Sequence, residues 1–269
     1  MQLPGERHLA PANTVATLAG SLGALLALIG SSPRWLLVYP LAAAAGLVAA
    51  SPLTPAVERG EELEAEPLPP LHRSRRIVMR LSALFALDSF GGGFVPQTFI
   101  AYLFTRKYGA SPHTLAIVFF AIGILQALSF QGAVRLAGKI GLLRTMVFTH
   151  LPSNLLLAAV AFAPNLPSAI ALLLARFLLS QADVPTRQAY VVAVVDTSER
   201  TAAAAYTNTA RYLTRPVAPL IAGATLRGAL GAPFIIAGAP KSVYDVGLYI
   251  LFRDVEIEGE RPVEPASAG

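Results

Sequence analysis

From Pro167 to Tyr190 the chain reads PSAIALLLARFLLSQADVPTRQAY. Its start is an unbroken apolar run, Ala169 to Ala175, which lacks the strict alternation of a barrel strand. A helix of about 20 residues crosses a hydrocarbon core about 30 Å thick, and this stretch is long enough. The interruptions are patterned. Arg176, Ser180, Asp183 and Arg187 follow one another at spacings of 4, 3 and 4, which puts all four on one stripe of a helix. Charges inside a bilayer cost several kcal/mol, so such a stripe faces protein or a water-filled cavity, not lipid. Two readings follow. The stripe lines a pathway, with Arg176 suited to contact an anionic solute or a carboxylate. Alternatively it is structural, with Arg176 or Arg187 paired to Asp183. Pro185 is expected to kink the helix there.

Working outward, seven more stretches have this character. They are Asn13–Ser31, Trp35–Ser51, Arg80–Phe104, His113–Val134, Thr145–Ala163, Ala202–Leu226 and Ala232–Phe252, separated by short connections rich in Pro and Gly. Only 14% of the 269 residues are charged and 54% are hydrophobic, against about 25% charged in soluble domains. A water-soluble surface cannot be covered with so few polar groups, so membrane lipid is the expected solvent for the exterior. An all-α membrane protein of about eight transmembrane helices is predicted, because only helices satisfy their own backbone in hydrocarbon without closing a barrel. Disorder is excluded by the hydrophobicity. A disulfide scaffold is excluded by the absence of cysteine.

Between Pro52 and Arg76 no apolar period survives. Residues 52–79 therefore read as a charged cytoplasmic linker. It divides two helices (1–51) from a six-helix bundle (80–253), which a cytoplasmic tail follows (254–269). Lys and Arg set orientation by their excess in cytoplasmic loops. With the N-terminus inside, thirteen lie in inner segments and four in outer ones. This predicts a multi-pass protein of the plasma (inner) membrane with both termini cytoplasmic. The first span lacks a small-x-small cleavage site before Trp35, and more spans follow, which argues against a removable signal.

Other spans carry charge too. In LFALDSFGGGFVPQTFIAYLF, Asp88 lies about two turns from the inner end, and Gly91 to Gly93 with Pro96 weaken the helix. Broken helices in mid-membrane mark binding sites in many transporters. Gln97 could bond a solute, although a regular helix sets it opposite Asp88 and only a kink unites them. The glycines alternatively serve close helix packing. Arg211 shares a face with Asn208 and Arg215, with Pro216 and Pro219 bending the helix beyond. Lys241 and Asp245 form an i, i+4 pair that could neutralise itself. Asp183 or Asp245 could instead exchange partners with Arg211, or carry a proton. Asp196-Thr197-Ser198-Glu199 has the form of a capping box that starts the next helix.

Two stretches resemble the major facilitator superfamily. RLAGKIGLLRTM, Arg135 to Met146, is similar to its basic loop motif: Leu136, Ala137, Lys139, Gly141 and Arg144 match, while Gly138 stands where the family has Asp. DVPTRQAYVVAVVDTSERTAAAAYTNTAR, Asp183 to Arg211, resembles the tenth helix, a cytoplasmic loop and the eleventh helix. The order of spans, linker and motif is that of the family's last eight helices, the C-terminal half of the fold plus two helices. The resemblance implies a secondary transporter that moves a small solute by alternating access. It also implies that the first four helices are missing, so that a truncated chain, unable to transport alone, would need a separate chain supplying them. Asp88, Gln97, Arg176, Asp183, Arg211, Arg215, Lys241 and Asp245 would line the solute or ion pathway, a proton being the candidate coupling ion. Glu199 and Arg200 would face Arg135, Lys139 and Arg144 as a cytoplasmic gate.

The alternative is a non-transporting assembly or regulatory subunit, or an inactive remnant. His8, His72, His113 and His150 are scattered, and no HExxH, GxSxG or phosphate-loop motif occurs, so neither enzyme, metal nor cofactor is expected. The basic residues from Arg73 to Arg80 suit lipid headgroups. They alternate with Glu-rich sequence, which argues against nucleic acid.

Overall fold

A computed structural model describes residues 6–26, 37–50, 71–226 and 228–255. Its regular structure is entirely helical. In chain order the α-helices are α1 (Glu6–Leu26), α2 (Val38–Ala50), α3 (Arg75–Gly93), α4 (Gln97–Tyr108), α5 (Pro112–Ile140), α6 (Leu142–Val160), α7 (Leu166–Ser180), α8 (Asp183–Ala193), α9 (Arg200–Thr214), α10 (Val217–Thr225) and α11 (Ala232–Phe252). A 3₁₀ turn, Thr197–Glu199, precedes α9.

Among the described residues four rods are long and apolar enough to cross a membrane: α3 with α4 (Arg75–Tyr108), α5, α7 with α8 (Leu166–Ala193), and α11. The other expected spans are helical where described, but shorter or more polar. Within α1 only Thr14–Ala24 forms a short apolar helix, and α2 has 13 residues. The stretch expected from Ala202 is cut at Arg215–Pro216 into α9 and α10, 15 and 9 residues long. Helix α6 is continuous through Pro152 but spends Thr145, Thr149, His150, Ser153 and Asn154 on the interior. The ends of the first two expected spans, the linker up to residue 70 and the tail from 256 lie outside the described residues. Helix α3 begins at Arg75, ahead of the span expected from Arg80, and Leu71 and Val78 already belong to the core.

The interior is layered. One apolar cluster joins Val78, Leu81 and Phe85 of α3, Leu142 to Val147 of α6, Ala189 to Val191 of α8, Ala202 of α9, and Leu248 and Phe252 of α11. A second joins Phe94, Leu103 and Phe104, Leu157 and Val160, Ala169 and Leu173, Ala218 and Ala222, and Phe234 and Ala237. Along the rods most of the buried polar residues, Asp88, Ser129, Thr149, His150, Asn154, Ser180, Asp183, Arg187, Thr207 and Lys241 among them, fall between the contributions to the two clusters. A polar layer is thereby held between two apolar ones.

Glycine allows the closest approaches. A Cβ on Gly91 would sit 2.8 Å from Lys241 Cγ of α11, and one on Gly93 would collide with the Arg215 carbonyl oxygen. The expected break does occur at Gly93, and α4 restarts after Pro96. Between α1 and α5, a Cβ on Gly123 would collide with Ser21, and Gln131 Nε2 donates to Thr14 Oγ1 at 3.0 Å. Small residues are what let helix backbones meet without a hydrophobic drive. Since the chain has no native cysteine, a Thr14→Cys, Gln131→Cys pair should cross-link on mild oxidation. Adding Gly123→Val should reduce the yield several-fold, as scored by gel mobility.

Candidate functional site

The polar layer is an ion network drawn from four helices. Asp88 of α3 is 5% exposed, Asp183 of α8 3% and Asp245 of α11 0%. Lys241 Nζ donates to Asp88 Oδ1 at 2.6 Å, and Arg187 Nη1 lies 3.6 Å from Asp88 Oδ2. Arg187 also binds Asp183 Oδ2 one turn earlier on its own helix, and Tyr244 O–H donates to Asp183 Oδ1 at 3.1 Å. The guanidinium thus bridges two carboxylates, as its fork of donors permits.

His150 joins the rest. Its Nδ1 lies 2.9 Å from Asp245 Oδ1, and Asn154 Nδ2 donates to Asp245 Oδ2 at 2.8 Å. A carboxylate can only accept, so Nδ1 carries the proton. In the neutral ring Nε2 is then an acceptor. It faces Lys241 Nζ at 3.4 Å and Asp88 Oδ1 at 3.6 Å.

Beside this network lies a cavity of about 210 Å³. Its wall takes Asp88, His150, Arg176, Asp183, Arg187 and Lys241 from the network level, with Arg211 and Arg215 from the end of α9. The stripe expected on the sixth span is brought together as a unit, since Arg176, Ser180, Asp183 and Arg187 all reach this wall even though the chain turns at Gln181–Ala182 between α7 and α8. Ser89 Oγ donates to the Arg211 carbonyl at 2.9 Å and Thr214 Oγ1 to that of Ala86 at 2.9 Å, locking α9 onto α3.

Three expectations about partners need correction. Gln97 is exposed at the first position of α4 and is absent from the wall, because the break after Gly93 sends α4 off rather than folding it back toward Asp88. Lys241 and Asp245 do not neutralise each other. Lys241 turns to Asp88 and Asp245 to His150, which are nearer counter-groups on neighbouring helices. Asp245 therefore sits behind the cavity wall rather than in it.

The gate residues are also arranged differently. Glu199 accepts backbone N–H bonds from His72 (2.7 Å), Arg73 (3.0 Å) and Ser74 (2.8 Å). Its carboxylate is thus occupied by the start of α3 and not by Arg135, Lys139 or Arg144. These bonds hold its carboxyl well below the usual range, at about 2, because each donor favours the charged form. Arg200 Nε donates to the Val192 carbonyl at 3.0 Å. The reciprocal capping box is replaced. Asp196 accepts from Ser198 N at 3.0 Å, while its own N–H donates to Ser74 Oγ at 3.0 Å. Arg135 and Lys139 line a separate, mostly apolar hollow of about 350 Å³ between α5 and α7.

His150, Asn154 and Tyr244 were not among the expected site residues. A signal existed for each. His150 and Asn154 are i, i+4 in an apolar run, and Tyr244 stands three residues after Lys241.

No model of a known protein family matches the sequence. Over 182 residues it is 24% identical to the uncharacterized membrane protein YJR124C of Saccharomyces cerevisiae, an alignment that takes in 67% of this chain. The chain spans only 41% of the length of that relative.

Two outcomes follow from this geometry. Asp88→Asn and Lys241→Met should each cost about 3–5 kcal/mol, since either removes the nearest counter-charge of a buried ion. The double variant should lose less than the sum, as read from thermal unfolding in detergent. For Glu199 the depressed carboxyl adds stability that is complete above its ordinary 4.5 and lost as pH falls toward about 2. Glu199→Gln should therefore melt lower than the parent at pH 7, with the gap closing between pH 4.5 and 2.

Proposed function

We propose that this chain is part of a secondary transporter, of the kind its resemblance to the major facilitator superfamily implies, which carries a small solute by alternating access. One observation supports the reading above the rest. Five ionised side chains and a histidine line a cavity at a single level between two apolar layers. Burying charge in a helical membrane protein is costly and is associated with substrate and ion pathways. The network is also built to switch. Arg187 touches both Asp183 and Asp88, and Asp88 has Lys241 and His150 within 4 Å. A coupling proton taken up at His150 would turn Nε2 from acceptor to donor and give Asp88 a second partner in place of Lys241. The proposal includes about eight membrane-crossing helices, with both ends on the cytoplasmic side of the plasma membrane. A complete pathway would need helices supplied by a longer or separate chain.

The test is reconstitution in liposomes, with this chain alone and together with a chain providing four upstream helices. Uptake from a solute panel is expected in the combined sample. It should fall at least tenfold with Asp88→Asn or Arg187→Gln, and lose its dependence on a pH gradient with His150→Gln. No uptake in either sample would defeat the reading and favour a non-transporting assembly or regulatory subunit.

A further inference from the structure

The cavity wall is not electrically balanced. It carries Arg176, Arg187, Arg211, Arg215 and Lys241 against Asp88 and Asp183. Both carboxylates are already engaged, Asp88 by Lys241 and Asp183 by Arg187. The remaining three arginines have no carboxylate within 4 Å among the described residues. Two of them also hold donors in reserve, for the Nε of Arg176 and the Nε of Arg211 are buried without a hydrogen-bond partner. Arg176 stacks its guanidinium at 4.6 Å over the Phe177 ring, which fixes the plane of its fork while leaving its edges open. Arg211 is anchored through its backbone to Ser89. Three uncompensated cations round one cavity repel one another, and the Nε atoms of Arg176 and Arg211 are shielded from solvent. Their excess is relieved by an anion in the space they share.

Resting on the transport reading of this same site, we infer that the solute it takes is a small anion bearing a carboxylate or phosphate group, held by Arg176, Arg211 and Arg215. Guanidinium pairs with both groups through two parallel hydrogen bonds. A volume near 210 Å³ holds about seven waters at about 30 Å³ each, and so admits a molecule of about that many heavy atoms. The anion chemistry has two sources, a soluble solute and a lipid phosphate, and the inference commits to the first.

The experiment is equilibrium binding by calorimetry, with the full chain in phosphatidylcholine nanodiscs and with succinate, inorganic phosphate, glucose and tetramethylammonium as probes. Saturable binding of succinate or phosphate, and not of glucose or tetramethylammonium, is expected. Affinity should drop at least tenfold in Arg176→Gln and in Arg211→Gln, less in the matching Lys variants, and should be unchanged in Arg106→Gln, an exposed site. Arg215 is exposed, so Arg215→Gln reports even where the buried variants fail to fold. Absence of binding by both anions overturns the inference, as does equal binding of glucose or tetramethylammonium. Binding that the three glutamine variants leave unchanged does the same, and so does a signal seen only with phosphatidylglycerol in the disc. The two readings fail separately. Liposome uptake of a neutral or cationic solute without anion binding removes the inference and keeps transport, whereas anion binding without any uptake supports the inference and removes transport.

Discussion

The ion pair between Asp88 and Lys241 is the constraint on which the interior depends. It ties α3 to α11 at 2.6 Å, in a place where neither charge has enough water to stand alone. Each partner then recruits others, Arg187 to the far oxygen of Asp88 and the His150 ring beside Lys241. A buried pair of this kind is not an economical source of stability, since desolvation offsets much of the attraction. What it imposes is register. Sliding α3 by one residue past α11 would leave an ammonium and a carboxylate unmatched, so the apolar clusters on either side are held in step by the polar layer between them.

The same arrangement orders the two ends of the bundle. Leu71, Ala137, Leu142, Val195 and Phe252 meet in one apolar cluster. The start of α3, the turn between α5 and α6, the link between α8 and α9 and the end of α11 are therefore neighbours. Arg75, Arg76, Arg80, Arg135, Lys139, Arg144 and Arg200 all stand at or near these segments. Seven of the cations counted along the chain thus stand toward one end of the described fold. Glu199 fastens that end by taking three backbone donors that would otherwise open the first turn of α3.

Much of this was legible before the structure. The 4-3-4 spacing from Arg176 to Arg187 put four side chains on one stripe, and they do share one wall, because helical periodicity is a local property. Asp88, Arg211, Arg215 and Lys241 could be picked out as costly in an apolar span, and they converge. Which partner each would choose was not legible. Lys241 has Asp245 one turn away but finds Asp88 across the interface, and that choice depends on how helices cross, which no single helix encodes. His150 was hidden for another reason. A lone histidine says little until Asp245 and Lys241 are seen on its two nitrogens. Pro96 announced a break, while the direction in which α4 leaves it, carrying Gln97 outward, is set by the packing of Phe94, Leu103 and Phe104.

The two interruptions in the long helices are neighbours in space. Gly93, the last residue of α3, lies against the backbone of Arg215, which closes α9, and against Ala218 in the first turn of α10. The weak points of two rods therefore coincide, with bare backbone on one side and no side chain to cushion the contact. The two breaks thus share one contact, and Arg215 stands at the joint where both rods change direction.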